Sequence, residues 1–268
     1  MRVVFMGTPD FAVPSLKALL DDDAFEVAAV VTQPDKSRGR NKAATYCPTK
    51  EFAIKSGLQV YCFDNIRKQE NIEVIQYLKP DVMVTAAYGQ ILSQKVLDIP
   101  KMGCVNVHGS LLPKYRGAAP IQWAIINGET ETGITTMLTE RGLDSGDILL
   151  KEIVDIKENE TAGGLFERLA VLGGEVLVKT LHGLKDGTIT PEKQNESEAT
   201  HFPMLKKTDG EIKWNKASDE VFNLVRGVNP WPGAYAKYND MVIKIWACEK
   251  TEMQGEAGEI LRTKDELI

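Results

Sequence analysis

Five short apolar runs open this chain, Val3–Met6, Val27–Thr32, Val60–Phe63, Val82–Ala86 and Cys104–His108, and helix-length amphipathic stretches at Val13–Leu20, Thr49–Ser56, Arg67–Leu78 and Pro120–Asn127 alternate with them. Parallel strands need long crossover connections, and a helix packed on the sheet is the usual crossover. The rhythm predicts an α/β fold with a doubly wound, mostly parallel sheet. Gly133–Leu138 and Ile148–Ile156 read as two further strands around a turn, and Ala162–Lys185 reads as a long helix that Asp186-Gly187 ends. From Thr188 to Ala199 the chain turns polar and weakly periodic. We therefore divide it into a first domain at 1–187, a linker at 188–204 and a smaller domain at 205–268. The last part is mostly β, with strands expected at Glu211–Trp214, Ala234–Tyr238 and Val242–Ala247, a hairpin turn at Asn239-Asp240 and a helix at Asp219–Gly227.

Composition excludes several classes of function. The 268 residues are 43% hydrophobic, with no apolar run near the ~18 residues of a membrane helix. The chain opens on a strand-like run rather than a basic, then apolar, leader, so a cytoplasmic protein is expected. Four cysteines lack C-x-x-C spacing and only three histidines are present, which points to no metal site and no disulfide framework. A net charge of −6 argues against coating nucleic acid by overall charge. One local exception is the stretch from Pro34 to Lys50, where Lys36, Arg38, Arg40, Lys42 and Lys50 face a single acid, Asp35.

The most informative strand is Cys104–His108. Side chains alternate along a strand, so Val105 and Val107 share one face while Asn106 and His108 share the other. A covered parallel strand should stay apolar, and ligands collect at the carboxyl ends of such strands. An amide beside an imidazole at that end marks a candidate active site. Gly142-Leu143-Asp144-Ser145-Gly146-Asp147 is a glycine-flanked acidic turn between two strands, and Asp144 is the carboxylate best suited to orient the imidazole or take a proton through water. Asn106 and protonated His108 would donate hydrogen bonds to an oxygen that gains charge, each worth ~3 kcal/mol in comparable sites. A hydrolase triad of Ser110, His108 and Asp144 competes with this, but Ser110 lacks the G-x-S-x-G elbow. Gly7-Thr8-Pro9-Asp10-Phe11-Ala12 occupies the place of a Rossmann-like phosphate turn without its glycine pattern, and Pro9 removes a donor, so a nicotinamide or flavin is not expected.

Asn106 to Pro113, continued by Lys114-Tyr115-Arg116-Gly117-Ala118-Ala119-Pro120 and by Gly142 to Asp147, closely resembles the 10-formyltetrahydrofolate-dependent formyltransferases. Phe5 to Ala12, Thr32-Gln33-Pro34-Asp35 and Val228-Asn229-Pro230-Trp231-Pro232-Gly233-Ala234 extend the likeness along nearly the whole chain, toward the bacterial branch that formylates methionine on initiator tRNA. The resemblance implies direct transfer of the formyl group to the methionyl amine through a tetrahedral intermediate, with no metal. Asn106, His108 and Asp144 would be catalytic. Ser110, Leu111, Leu112 and Pro113, together with Tyr88, Gln90, Ile91 and Leu92, would line the folate pocket. Arg40 would contact the acceptor stem, with Arg38, Lys36 and Lys42 on phosphates. The C-terminal part resembles an OB-like β-barrel in which Lys206, Lys207 and Lys213 would support tRNA binding. Members of the family usually continue some tens of residues further, so the barrel is expected to look truncated at Ile268. A monomer is expected. Formyltransferases acting on amino-sugar nucleotides, and formyltetrahydrofolate hydrolases, share the Asn, His and Asp set and are the nearest alternatives.

Overall fold

The computed structural model describes residues 1–37, 44–239 and 241–261. The chain forms β1 (Arg2–Gly7), α1 (Ala12–Leu20), β2 (Glu26–Thr32), the two-residue strands β3 (Lys36–Ser37) and β4 (Ala44–Thr45), α2 (Pro48–Lys55), β5 (Val60–Cys62), α3 (Gln69–Leu78) and β6 (Val82–Ala86). It continues with α4 (Gln94–Leu97), β7 (Cys104–His108), β8 (Arg116–Gly117), α5 (Pro120–Ile126), β9 (Glu131–Leu138), β10 (Ile148–Asp155) and α6 (Ala162–Asp186). The remaining elements are β11 (His201–Phe202), α7 (Ser218–Gly227), β12 (Ala234–Tyr238) and β13 (Met241–Ile245).

Seven strands form one sheet in the order β10-β9-β7-β6-β1-β2-β5. The chain builds outward from β1 through β2 to β5, then returns to the other side of β1 as β6 and β7. Pairs β1/β2, β1/β6, β2/β5 and β6/β7 are parallel, and β9 runs antiparallel to β7. The reversal of winding lies between β1 and β6, the place where the loops leaving two carboxyl ends part and open a crevice. Near-continuous apolar sequence in these strands follows from coverage on both faces: every residue from Val3 to Met6 is fully buried. Val4, Met6, Ala29, Val31, Met83 and Cys104 pack with Ile72, Ile75, Val96 and Leu97 of α3 and α4. On the opposite face Gly173 of α6 lies against Val107, where an added Cβ would stand 3.0 Å from the valine.

By packing, the chain groups into two compact units: residues 1–117, 133–154 and 166–201 in one, and 118–132, 155–165 and 202–268 in the other. The polar stretch 188–199 belongs to the first unit, where Glu192 and Ile148 exchange backbone hydrogen bonds of 2.7 and 2.9 Å. The second unit has its own small core of Ile212, Val225, Val228 and Ala234. Its sheet, among the described residues, is the antiparallel pair β12/β13.

Two expectations for this unit need adjustment. Glu211–Trp214 is not a strand: Glu211 makes a single bridge to Tyr235, and Lys216 then bonds back to the Lys213 carbonyl at 3.0 Å, turning the chain. The final strand starts one residue earlier than expected and stops at Ile245. Asp240, half of the expected hairpin turn, lies outside the described residues. Residues 38–43, which include Arg38, Arg40 and Lys42, and the side chain of Lys36 also lie outside them.

Candidate active site

Asn106 and His108 leave β7 on the same face as Cys104, one and two register steps beyond the apolar layer over α3 and α4. Burial pushes the Cys104 thiol up to about 12, so this cysteine is an inert packing residue at the root of the strand. Asn106 pairs across the sheet with Thr85, whose hydroxyl donates to Asn106 Oδ1 at 2.9 Å. That bond fixes the amide: with Oδ1 committed to Thr85, the Nδ2 hydrogens face away from β6, ready to donate.

His108 is 7% exposed, and its Nε2 lies 3.0 Å from the Tyr115 carbonyl oxygen. A carbonyl only accepts, so Nε2 carries a hydrogen and Nδ1 is the nitrogen that gains or loses the second proton. Nδ1 faces Asp144 Oδ2 at 3.9 Å, within ion-pair range but too far for a direct hydrogen bond. The direct tie on the ring is therefore Tyr115, whose φ of +61° bends the loop back over the strand end. Asp144 also takes a left-handed φ of +49°, and its Oδ2 accepts the Gly117 amide at 2.8 Å.

The acidic loop is held from a direction the sequence does not announce. Gln194 donates through Nε2 to the carbonyls of Asp144 and Gly146, both at 2.8 Å. Its Oε1 accepts from Arg116 Nε at 3.0 Å and Nη2 at 2.8 Å, and the same guanidinium grips both oxygens of Glu196. Glu196 is held below the ordinary carboxylate range, first by the hydrogen bond from Arg116 and then by its charge. A depressed acid adds stability above its unfolded value, and that stability disappears as pH falls through the lowered folded value. Glu196→Gln is thus expected to lower the melting temperature at neutral pH and to match the parent protein in acid. A difference that stays constant across the titration would show that the ion pair does not carry it.

The residues assigned to the folate pocket separate into two groups. Ser110 is fully buried and its hydroxyl donates to the Lys114 carbonyl at 2.8 Å, so its proton is directed into the turn and not at His108. That geometry leaves the hydrolase triad without a nucleophile. Leu112 is fully buried with Met137 and Ile148, and a cis bond joins it to Pro113. Thr135, on β9 opposite His108, pins the turn by donating to the Ser110 carbonyl at 2.7 Å and accepting from the Leu112 amide at 3.1 Å. Tyr88 and Leu92 belong to the core, while Gln90 is committed to the Phe63 carbonyl and the Ile66 amide. Leu111 is half-buried, and Ile91 stays 74% exposed. Ile91 and Leu111 lie on loops that leave the carboxyl ends of the adjacent strands β6 and β7, and they are the apolar surface a flat ring system would use.

Among the cationic candidates of the second unit, Lys206, Lys207 and Lys213 are exposed, with Lys213 paired to Glu211 at 3.0 Å. Among the described residues, no group of three or more His, Cys, Asp or Glu is arranged to hold a metal ion. Nor is any helix among them long and apolar enough to cross a membrane.

A Rossmann-like sheet with an amide, an imidazole and a carboxylate at its carboxyl edge defines a class, and the chain belongs to the formyl transferase family: residues 1–181 match the formyl transferase model and 204–268 its C-terminal domain. The relatives are more particular. The methionyl-tRNA formyltransferase of Caldanaerobacter subterraneus subsp. tengcongensis is 51% identical over this entire chain and 87% of its own length. That of Acetivibrio thermocellus is 53% identical over the same shares. In fold the chain is similar to a 4-N formyltransferase from Francisella tularensis, with a TM-score of 0.73, 17% identity, and 94% and 98% of the two chains covered. It is likewise similar to the methionyl-tRNA formyltransferase from Clostridium thermocellum, with a TM-score of 0.63, 16% identity, and 100% and 96% covered.

Proposed function

We propose that this enzyme transfers the formyl group of 10-formyltetrahydrofolate to the free amine of methionyl initiator tRNA. The observation that carries the chemistry is the joint placement of Asn106, His108 and Asp144: two hydrogen-bond donors and one carboxylate in the same unit, each fixed by a separate partner. The acceptor rests on the high identity, over the entire chain, to proteins named for that reaction. The folate supplies the activated formyl carbon. Asn106 Nδ2 and a protonated His108 Nδ1 donate to the formyl oxygen as it gains charge. Asp144, whose Oδ2 stands 3.9 Å from His108 Nδ1, takes up the proton of the attacking amine, directly or through a bridging water, as the new C–N bond forms. The intermediate then collapses by breaking the bond from the formyl carbon to the folate N10, and that proton passes to the departing nitrogen.

The folate rests on the loops at residues 88–92 and 110–113, with Ile91 and Leu111 as its apolar contacts. Arg40, Arg38, Lys36 and Lys42 meet the acceptor stem, and Lys206, Lys207 and Lys213 add phosphate contacts in the C-terminal domain at 205–268. The same reading divides the chain into 1–187, a linker at 188–204 and 205–268, and places it as a monomer in the cytoplasm.

The test is formyl transfer to charged initiator tRNA, run beside uncharged tRNA and amino-sugar nucleotides. Transfer confined to the charged tRNA supports the reading, and transfer to an amino sugar replaces it. Arg40→Ala is expected to lower kcat/KM for tRNA by ~10-fold and reduce its salt dependence by about one ion, with folate affinity unchanged. An equal loss of folate affinity would remove residues 34–47 from the tRNA contact.

A further inference from the structure

The loop that presents Asp144 has little to hold it in place by itself. Glu140, Arg141, Gly142 and Leu143 are exposed, and the closing bond of the turn, Leu138 amide to Asp147 carbonyl at 2.9 Å, lies at its base. Asp144 has a backbone conformation that costs energy for a residue with a side chain. Something outside the loop must hold it there.

Gln194 is that group. Its Nε2 has two hydrogens and meets two carbonyls, Asp144 and Gly146; its Oε1 has two lone pairs and meets two guanidinium hydrogens. All four positions of the amide are used, and only one orientation satisfies them. Flipped, the amide would set its oxygen against two carbonyls and its hydrogens against a cation. Arg116 is 2% exposed and cannot turn aside, because both Glu196 oxygens accept from it. The residue after Arg116 is Gly117, whose amide holds the Asp144 carboxylate. The ring closes: the Arg116 side chain reaches the Asp144 backbone through Gln194, and the neighbouring backbone amide reaches the Asp144 side chain.

We infer that Gln194 is a positioning residue for formyl transfer, setting the Asp144 carboxylate at its distance from His108 Nδ1 through a clamp built on Arg116 and Glu196. This deepens the reading above and rests on it for its kinetic consequence. Gln194 touches neither substrate nor a reacting atom; it acts by fixing where a proton acceptor stands, and misplacement by an ångström costs on the order of 100-fold in rate.

The experiment uses Gln194→Met, close in size, with no donor and only a weakly accepting thioether sulfur, in the full chain. Amide hydrogen exchange at Gly117 reports whether the Asp144 carboxylate remains in place, and it needs no substrate. Faster exchange by ~10-fold or more in the variant is expected. In turnover, kcat should fall by ~10- to 100-fold with KM for the folate changed by less than about threefold. On an Asp144→Asn background the same substitution should add almost nothing, because its only route to the reaction is already cut. Unchanged Gly117 protection, or losses that multiply on the Asp144→Asn background, would overturn the assignment. Should the parent protein fail to formylate methionyl tRNA, the proposed acceptor falls, and the exchange comparison still decides whether Gln194 holds Asp144.

Discussion

His108→Ala is expected to lower kcat by ~10²- to 10⁴-fold while leaving folate affinity within a few-fold of the parent value. The ring is buried, carries a hydrogen on Nε2 for the Tyr115 carbonyl, and presents Nδ1 toward Asp144. The substitution removes the imidazole donor beside Asn106 and the group that faces the Asp144 carboxylate. His108→Asn keeps an amide donor, so it should regain part of the loss. Single-turnover rates, read with a thermal melt to show that the fold survives, make the comparison. A loss below ~10-fold with the fold intact would move the chemistry away from β7.

Gly146→Ala is expected to be nearly as damaging, for a steric reason. A Cβ at this position would stand 1.7 Å from the Leu138 carbonyl oxygen and 2.8 Å from its carbon. Both are backbone atoms at the end of β9, and neither can rotate out of the way. Either the strand end or the loop must move by about an ångström or more to restore van der Waals separation. Movement of the loop takes Asp144 from Gly117 and breaks the bond between Gln194 and the Gly146 carbonyl. We expect kcat to fall by ~100-fold and stability by ~1–3 kcal/mol. Gly142→Ala is the matched control. Its Cβ would meet the Ser145 hydroxyl at 2.0 Å, the end of a side chain that can swing aside, so a much smaller loss is expected. Equal effects at the two glycines would mean that crowding against β9 does not decide the loop's position.

The inner strands β1 and β2 were readable because coverage on both faces favours unbroken apolar runs, Val3–Met6 and Val27–Val31. The two-residue strands β3, β4, β8 and β11 have no periodicity to display, and their existence depends on partners elsewhere in the chain. Asn106 and His108 stood out because polar side chains in a covered strand require a reason, and Asp144 because glycines flank it. Their supports did not stand out. Thr85 is an ordinary strand residue, Tyr115 contributes a carbonyl that every residue has, and Gln194 lies 50 residues from the loop it holds, in a stretch that reads as a connection. The resemblance carried residues 88–92 to the folate pocket as a block. The structure commits Gln90 to backbone groups and Leu92 to the core, a distinction that depends on tertiary packing and is invisible in the motif.

Residues 33 and 49 have a consequence for how such an enzyme diversifies. Gln33 bonds the Tyr88 carbonyl at 3.0 Å, where Thr8 also donates at 3.1 Å, and Thr49 returns to the Pro9 carbonyl at 3.1 Å. The stretch between them is thus anchored at both of its ends. Lengthening a segment whose ends are already fixed costs only the slow logarithmic growth of closure entropy, about 0.6 kcal/mol per doubling. A change of length there is expected to leave the strand that carries the imidazole undisturbed. Were the acceptor read by this stretch, as proposed above, a new amine could be recruited by rewriting it while the donor chemistry at β7 stayed as it is.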